Sequence, residues 1–209
     1  MIITNIKRKG KSETYHVYAD DSYFALLEAE YIYKYKLKIG TEIDEQKLLQ
    51  IKMESDKLLC SSTALNYISK SLKTEFQLKN HLRSKNFDLE AIDETLEKLK
   101  GYGYLNDEYF ANISAKSLSK TKGKKYIKNQ LIAKGVSEEK IENALSEIEN
   151  EDEACFMVAQ KWIKGKELPL DIKNKQKLYG FLQARGFGFD VIKTALSKIG
   201  CEEIEDDWN

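Results

Sequence analysis

The stretch LKNHLRSKNFDLEAIDETLEKL at Leu78–Leu99 occurs three times in the chain. It returns as IKNQLIAKGVSEEKIENALSEI at Ile127–Ile148 and as LYGFLQARGFGFDVIKTALSKI at Leu178–Ile199, without a gap. Apolar residues recur at Leu78/Ile127/Leu178, Leu82/Leu131/Leu182, Phe87/Val136/Phe187, Ile92/Ile141/Ile192, Leu96/Leu145/Leu196 and Leu99/Ile148/Ile199. Within each copy the spacing is that of two helices with one apolar face each. Asn86, Gly135 and Gly186 mark the turn between them, where Gly or Asn accepts the left-handed backbone. Offsets of 49 and 51 residues set a repeat length that fits a modular helical array.

Working outward, each copy gains a preceding helix. In the first repeat it is expected at about Thr63–Ser71, carrying Leu65 and Ile68 inward, after a start signal at Ser61-Ser62-Thr63. Thr74-x-x-Gln77 fits a capping box, and Asp88 and Ser137 are expected N-caps. In the second repeat the first helix is expected at Glu108–Lys120, with Phe110, Ile113 and Ser117 inward and Asn106 or Asp107 as its cap. Lys124–Lys134 and Ser137–Glu149 follow. In the third, Glu151–Lys164 carries Phe156, Ala159 and Ile163, and Asp171 caps the next helix. Upstream, Ile2, Thr4 and Ile6 share one side of a strand, Tyr15, Val17 and Ala19 alternate, and Tyr23–Leu27 forms a third strand. A helix from Asp44 to about Cys60 covers that meander. The expected fold is mainly α: three tandem three-helix repeats in a curved, elongated array, with a small N-terminal α+β module. The boundaries are 1–62, 63–107, 108–150, 151–200, and an acidic tail at 201–209.

The net charge is zero, yet residues 64–135 carry 14 basic and 8 acidic groups, and residues 154–200 carry 9 and 3. Residues 136–153 carry 1 basic and 8 acidic groups, and the tail has 5 acidic and no basic ones. Such asymmetry is compatible with a polyanionic partner. The densest cations are Lys116, Lys120, Lys122, Lys124, Lys125, Lys128 and Lys134, with Lys175, Lys177 and Arg185 in the third repeat. They form either a solvated face or a surface for phosphates or an acidic protein. Tyr126 and Tyr179 interleave with them and suit either base stacking or packing between repeats.

No catalytic or metal constellation emerges, so neither enzyme activity nor a cofactor is expected. His16 and His81 have no Cys, Ser or carboxylate at triad spacing, and Gly101-x-Gly103 lacks the strand and Lys-Ser/Thr of a phosphate loop. Cys60, Cys155 and Cys201 are too few and too distant for a disulfide framework. No apolar run reaches membrane-span length and no signal segment opens the chain, so a cytoplasmic location is expected.

Three passages carry a family resemblance: Gly103-Tyr104-Leu105-Asn106-Asp107-Glu108-Tyr109-Phe110-Ala111, then Gly123-x-x-x-Ile127-x-x-x-Leu131-x-x-Lys134-Gly135-Val136-Ser137, then Lys177-Leu178-Tyr179-x-Phe181-Leu182-x-x-Arg185-Gly186-Phe187-x-x-Asp190-Val191-Ile192. In this order the chain resembles the RecX family of recombination regulators, in its long form with an N-terminal β-rich extension. Asn86 stands where the family usually has Gly, and Gly180 where it often has a cation. The resemblance implies a monomeric, non-enzymatic protein that lies on the RecA–single-stranded DNA filament and inhibits ATP hydrolysis and strand exchange. The alternatives are a helical DNA-binding protein acting without RecA and a protein-only scaffold.

Overall fold

The computed structural model describes residues Met1–Gly200; the acidic tail, with Cys201 and Trp208, lies outside the described residues. These fall into two compact units. One comprises Met1–Lys73 and Leu78–Leu105, the other Thr74–Gln77 and the chain from Asn106 onward.

In the first unit, β1 (Ile3–Arg8), β2 (Thr14–Ala19) and β3 (Ser22–Glu28) form an antiparallel meander in the order β1-β2-β3. Asp20 and Asp21, both at positive φ, close the two-residue turn between β2 and β3. The alternation expected in β1 is corrected in one respect. Ile3 is buried and Ile2 exposed, because the register shifts between Ile3 and Asn5. That irregularity resets the phase, so Ile3 faces Ala19 and Ile6 faces Val17 on the covered side. Helix α1 (Ala29–Lys34) then leads to α2 (Glu45–Ile68), whose Asp44 cap accepts from the Lys47 amide at 3.1 Å.

Helix α2 corrects the expected break between two helices at Ser61-Ser62-Thr63. It runs unbroken for 24 residues. Ser61 Oγ donates to the Lys57 carbonyl one turn back at 3.0 Å and meets Thr95 Oγ1 at 3.3 Å, so its hydroxyl is used inside the helix instead of starting one. The two ends of this helix serve two cores. Leu48 and Ile51 pack with Ile3, Val17 and Leu27 under the sheet. Cys60 and Ala64 pack with Leu78, Leu82, Ile92, Leu96 and Leu99 in the first repeat. Cys60 and Ala64 set the helix phase, which turns Leu65 out to solvent, contrary to expectation. Ser55, buried between the cores, accepts from the Glu28 amide at 2.8 Å.

The first repeat is completed by α3 (Glu75–Arg83) and α4 (Leu89–Gly101). In the second unit, α5 (Asp107–Leu118), α6 (Lys124–Ala133) and α7 (Glu138–Ser146) form the second repeat. The third consists of α8 (Glu151–Ile163), α9 (Ile172–Ala184) and α10 (Phe189–Lys198). Each repeat encloses its own apolar cluster. In α5 the buried positions are Phe110, Ala111 and Ala115, so Ile113 and Ser117, expected inward, face solvent. Trp162 and Phe156 are half-buried against the third cluster, while Cys155, Val158 and Ala159 fill it. Asp88 and Ser137 occupy N-cap positions with extended backbone, but neither side chain makes the expected capping bond. Asn106 and Asp171 do, accepting from Tyr109 and Asn174 at 2.9 and 2.7 Å.

A charge clamp joins α2 to α4. Glu94 accepts from Lys57 at 2.8 Å and Lys98 at 2.9 Å, and these two ammonium groups hold its carboxyl down at about 2. A depressed folded value contributes stability that is present above the ordinary 4.5 and is lost as pH falls through it toward about 2. Thermal melts across that window should show Glu94→Gln losing less stability on acidification than the parent protein. Identical pH slopes would show that the clamp contributes nothing.

Candidate functional site

The second and third repeats are joined by the ends of their middle helices. Gly123 N–H, at the start of α6, donates to the Arg185 carbonyl at the end of α9 at 3.0 Å. Lys125 N–H donates to the Gly186 carbonyl at 3.3 Å. Lys124 N–H is taken by the Glu151 carboxylate at the start of α8, 2.8 Å away. Approach is close because both backbones lack side chains. A Cβ on Gly123 would lie 2.2 Å from the Gly186 carbonyl oxygen, and one on Gly186 would lie 2.3 Å from the Tyr126 nitrogen.

The same lock is built one repeat earlier. Thr74 and Gln77 form the expected capping box, with both bonds at 3.2 Å, and Thr74 Oγ1 donates in turn to the Lys134 carbonyl at the end of α6 at 2.6 Å. Asp107, at the start of α5, accepts from the Glu75 amide at 2.9 Å. Gly135 leaves no room for a Cβ, which would meet Phe76 at 2.3 Å. Helix starts with spare amides are thus set against helix ends with spare carbonyls.

This lock sorts the ten expected site cations. Lys122, Lys124, Lys125 and Arg185 are brought together where α6 begins on the end of α9. Lys122 Nζ stands 4.4 Å from the Tyr126 ring, and the Arg185 guanidinium lies 3.6 Å from the Phe181 ring. Among the described residues these four have no carboxylate at ion-pair distance, and the Glu151 carboxylate in their midst is directed at the Lys124 backbone amide. The first amides of α6 are occupied, so an anion arriving here meets side-chain cations and the positive end of the helix, not free N–H groups.

The other cations lie elsewhere. Lys128 is paired with Glu138 at 3.1 Å, and Lys134 sits at the far end of α6, 5.0 Å from the Phe110 ring. Lys116, on α5, and Lys120, just past its end, line a groove of about 810 Å³ between α5 and α8 together with Glu147, Glu149 and Glu153. Lys161, which sequence reasoning did not select, lines the same groove. Lys175 and Lys177 lie on the first half of α9. Tyr126 is half-buried at the lock, and Tyr179 meets Phe189 edge-on at 6.4 Å. Cys155 is fully buried in the third cluster. Burial first, then Glu151 and Asp152, push its thiol to about 12. No group of metal-binding side chains occurs among the described residues, and none of their helices is long and apolar enough to cross a membrane.

Three family models match in sequence: the first three-helix domain of RecX over residues 60–99, the second over 106–145 and the third over 149–196. The chain belongs to the RecX family. A regulatory protein RecX of Clostridium botulinum (strain Alaska E43 / Type E3) is 35% identical over 195 residues, covering 91% of this chain and 92% of the relative. That of Bacillus subtilis (strain 168) is 32% identical over 210 residues, covering 98% of this chain and 79% of the relative. A crystal structure of RecX from Lactobacillus salivarius aligns with a TM-score of 0.63 at 27% identity, over 69% of this chain and 97% of that one. A crystal structure of regulatory protein RecX shares the fold over 94% of this chain and 98% of that one, with a TM-score of 0.65 at 24% identity. In RecX terms, the four converging cations straddle the second and third domains: Lys122, Lys124 and Lys125 fall in one match and Arg185 in the next.

The lock makes a graded prediction. Gly186 and Asn86 both hold positive φ, at 83° and 61°, but only the Gly186 site would press a Cβ onto backbone. Gly186→Ala should cost at least about 2 kcal/mol, combining left-handed strain with overpacking. Asn86→Gly should change stability by less than about 1 kcal/mol. Denaturant melts of the two variants check this, and equal effects would remove the docking role given to Gly186.

Proposed function

We propose that this RecX-family protein binds the RecA–single-stranded DNA filament and inhibits RecA ATP hydrolysis and strand exchange during recombination and repair. It acts as a monomer in the cytoplasm. The observation that carries this reading is the placement of four cations without counter-ions on the junction of the second and third RecX domains. Such cations can meet DNA phosphates or acidic groups on a protein filament without first leaving a carboxylate, whereas Lys128 would have to leave Glu138. Tandem repeats also present several contact points on one chain. Weak contacts to successive subunits of a polymer then add through effective concentration.

The test is RecA's single-stranded-DNA-dependent ATPase, with this protein added below stoichiometry. Inhibition is expected. Replacing Lys124, Lys125 and Arg185 together by Gln should raise the half-inhibitory concentration by about tenfold, on the order of 1.4 kcal/mol of lost binding. A folded parent protein that leaves the ATPase unchanged would sink the proposal. Salt-dependent DNA binding with an untouched ATPase would favour the alternative of a DNA-binding protein acting without RecA.

A further inference from the structure

The first repeat carries a feature that the second and third do not. Tyr67, near the end of α2, and His81, on α3, lie face to face, with ring centroids 3.9 Å apart and planes 6° from parallel. Both rings are part-exposed. Cations surround them. Lys73 Nζ stands 5.1 Å from the Tyr67 ring centroid. Lys70 and Lys85 are close enough to His81 that, after burial, their charges hold the imidazole below its ordinary range. The pair is flat, with one cation over the Tyr67 ring and two more acting on the imidazole.

The pairing of charges within this repeat is selective. Lys57, Lys79, Lys98 and Lys100 each meet a carboxylate, at 2.8, 2.7, 2.9 and 2.9 Å from Glu94, Asp93, Glu94 and Glu97. Lys70, Lys73 and Lys85 meet none among the described residues; Lys73 reaches only the Ser71 hydroxyl, at 2.6 Å. A solvated face with indifferent charge would show no such division. Packing of Tyr67 against the first repeat's core does not account for Lys73 over its ring or for the unmatched Lys70 and Lys85 near His81.

We propose that this surface is a contact for single-stranded nucleic acid. Lys70, Lys73 and Lys85 would take successive phosphates, and the Tyr67–His81 stack would offer a π-face to an unpaired base once Lys73 swings off the ring. Aromatic platforms rimmed by lysines recognise single strands without reading sequence. The site is separate from the junction of the second and third repeats, and it requires no RecA.

The experiment is a titration of the full chain with a fluorescent oligo-dT, without RecA, at several salt concentrations. A matched oligomer of abasic phosphodiester serves as comparison. Replacing Lys70, Lys73 and Lys85 by Gln should lower affinity at least about tenfold and reduce the slope of log K against log salt by about 2, at roughly 0.7 per phosphate. Tyr67→Leu, which keeps an apolar side chain against the core, should leave the salt slope in place. It should remove a preference for dT over the abasic chain of about tenfold. An unchanged slope and affinity in the folded lysine variant would overturn the site. Equal binding of dT and the abasic chain by the parent protein would overturn the base platform and the nucleic-acid assignment with it. Because RecA is absent, failure here leaves the ATPase result untouched, and failure of the ATPase test leaves this one standing.

Discussion

Spare amides at the start of one middle helix, set against spare carbonyls at the end of the next, are the interaction on which the second unit depends. Gly123 and Lys125 give their N–H groups to Arg185 and Gly186, and Glu151 takes the amide between them. At the end of α6 side chains take over part of this role, the Thr74 hydroxyl donating to the Lys134 carbonyl and the Asp107 carboxylate accepting from the Glu75 amide. Each bond satisfies a group that the helix itself leaves over, so the repeats join without a dedicated interface of large side chains. The cost is steric. Where helix ends approach this closely a Cβ cannot be held, so Gly123 answers to docking alone, and Gly135 and Gly186 to docking as well as to turn geometry. Asn86 shares the positive φ of the other two turns, and its conformation needs only the left-handed tolerance of its side chain.

The first unit uses continuity instead. One helix, α2, spans the sheet's core and the first repeat's core, so the N-terminal module is joined to the repeat by a rigid element. Its hydroxyl residues find partners without interrupting it. Ser55 faces the Glu28 amide, and Ser61 uses the carbonyl one turn back and the buried Thr95. The Lys57–Glu94–Lys98 clamp adds a polar tie on the outside.

Charge follows from both arrangements. Docking directs the Glu151 and Asp107 carboxylates at backbone amides, and not at lysine ammonium groups. The cations at the start of α6 meet no carboxylate at ion-pair distance among the described residues. Elsewhere the same residue types are neutralised, as Lys128 is by Glu138.

Much of this was legible in the chain. The threefold apolar pattern determines the repeat, because the 3.6-residue period sets which face must be buried whatever lies beyond it. The turn residues Asn86, Gly135 and Gly186, the Thr74–Gln77 box and the Asn106 and Asp171 caps follow from backbone needs that are local. Three features were not local, and the sequence misled or was silent on them. Ser61-Ser62-Thr63 reads as a helix start in isolation, but Thr95, 34 residues from Ser61, supplies a partner that keeps the helix going. Leu65 and Ile113 fit an apolar stripe, but burial of Cys60 and Ala64, and of Ala111 and Ala115, turned their helices to another phase. The ten cations looked like one basic surface along the chain. Tertiary structure divided them into a junction cluster, a groove and a scattered remainder that includes the paired Lys128, because a lysine's partners are carboxylates and rings that only folding brings within reach.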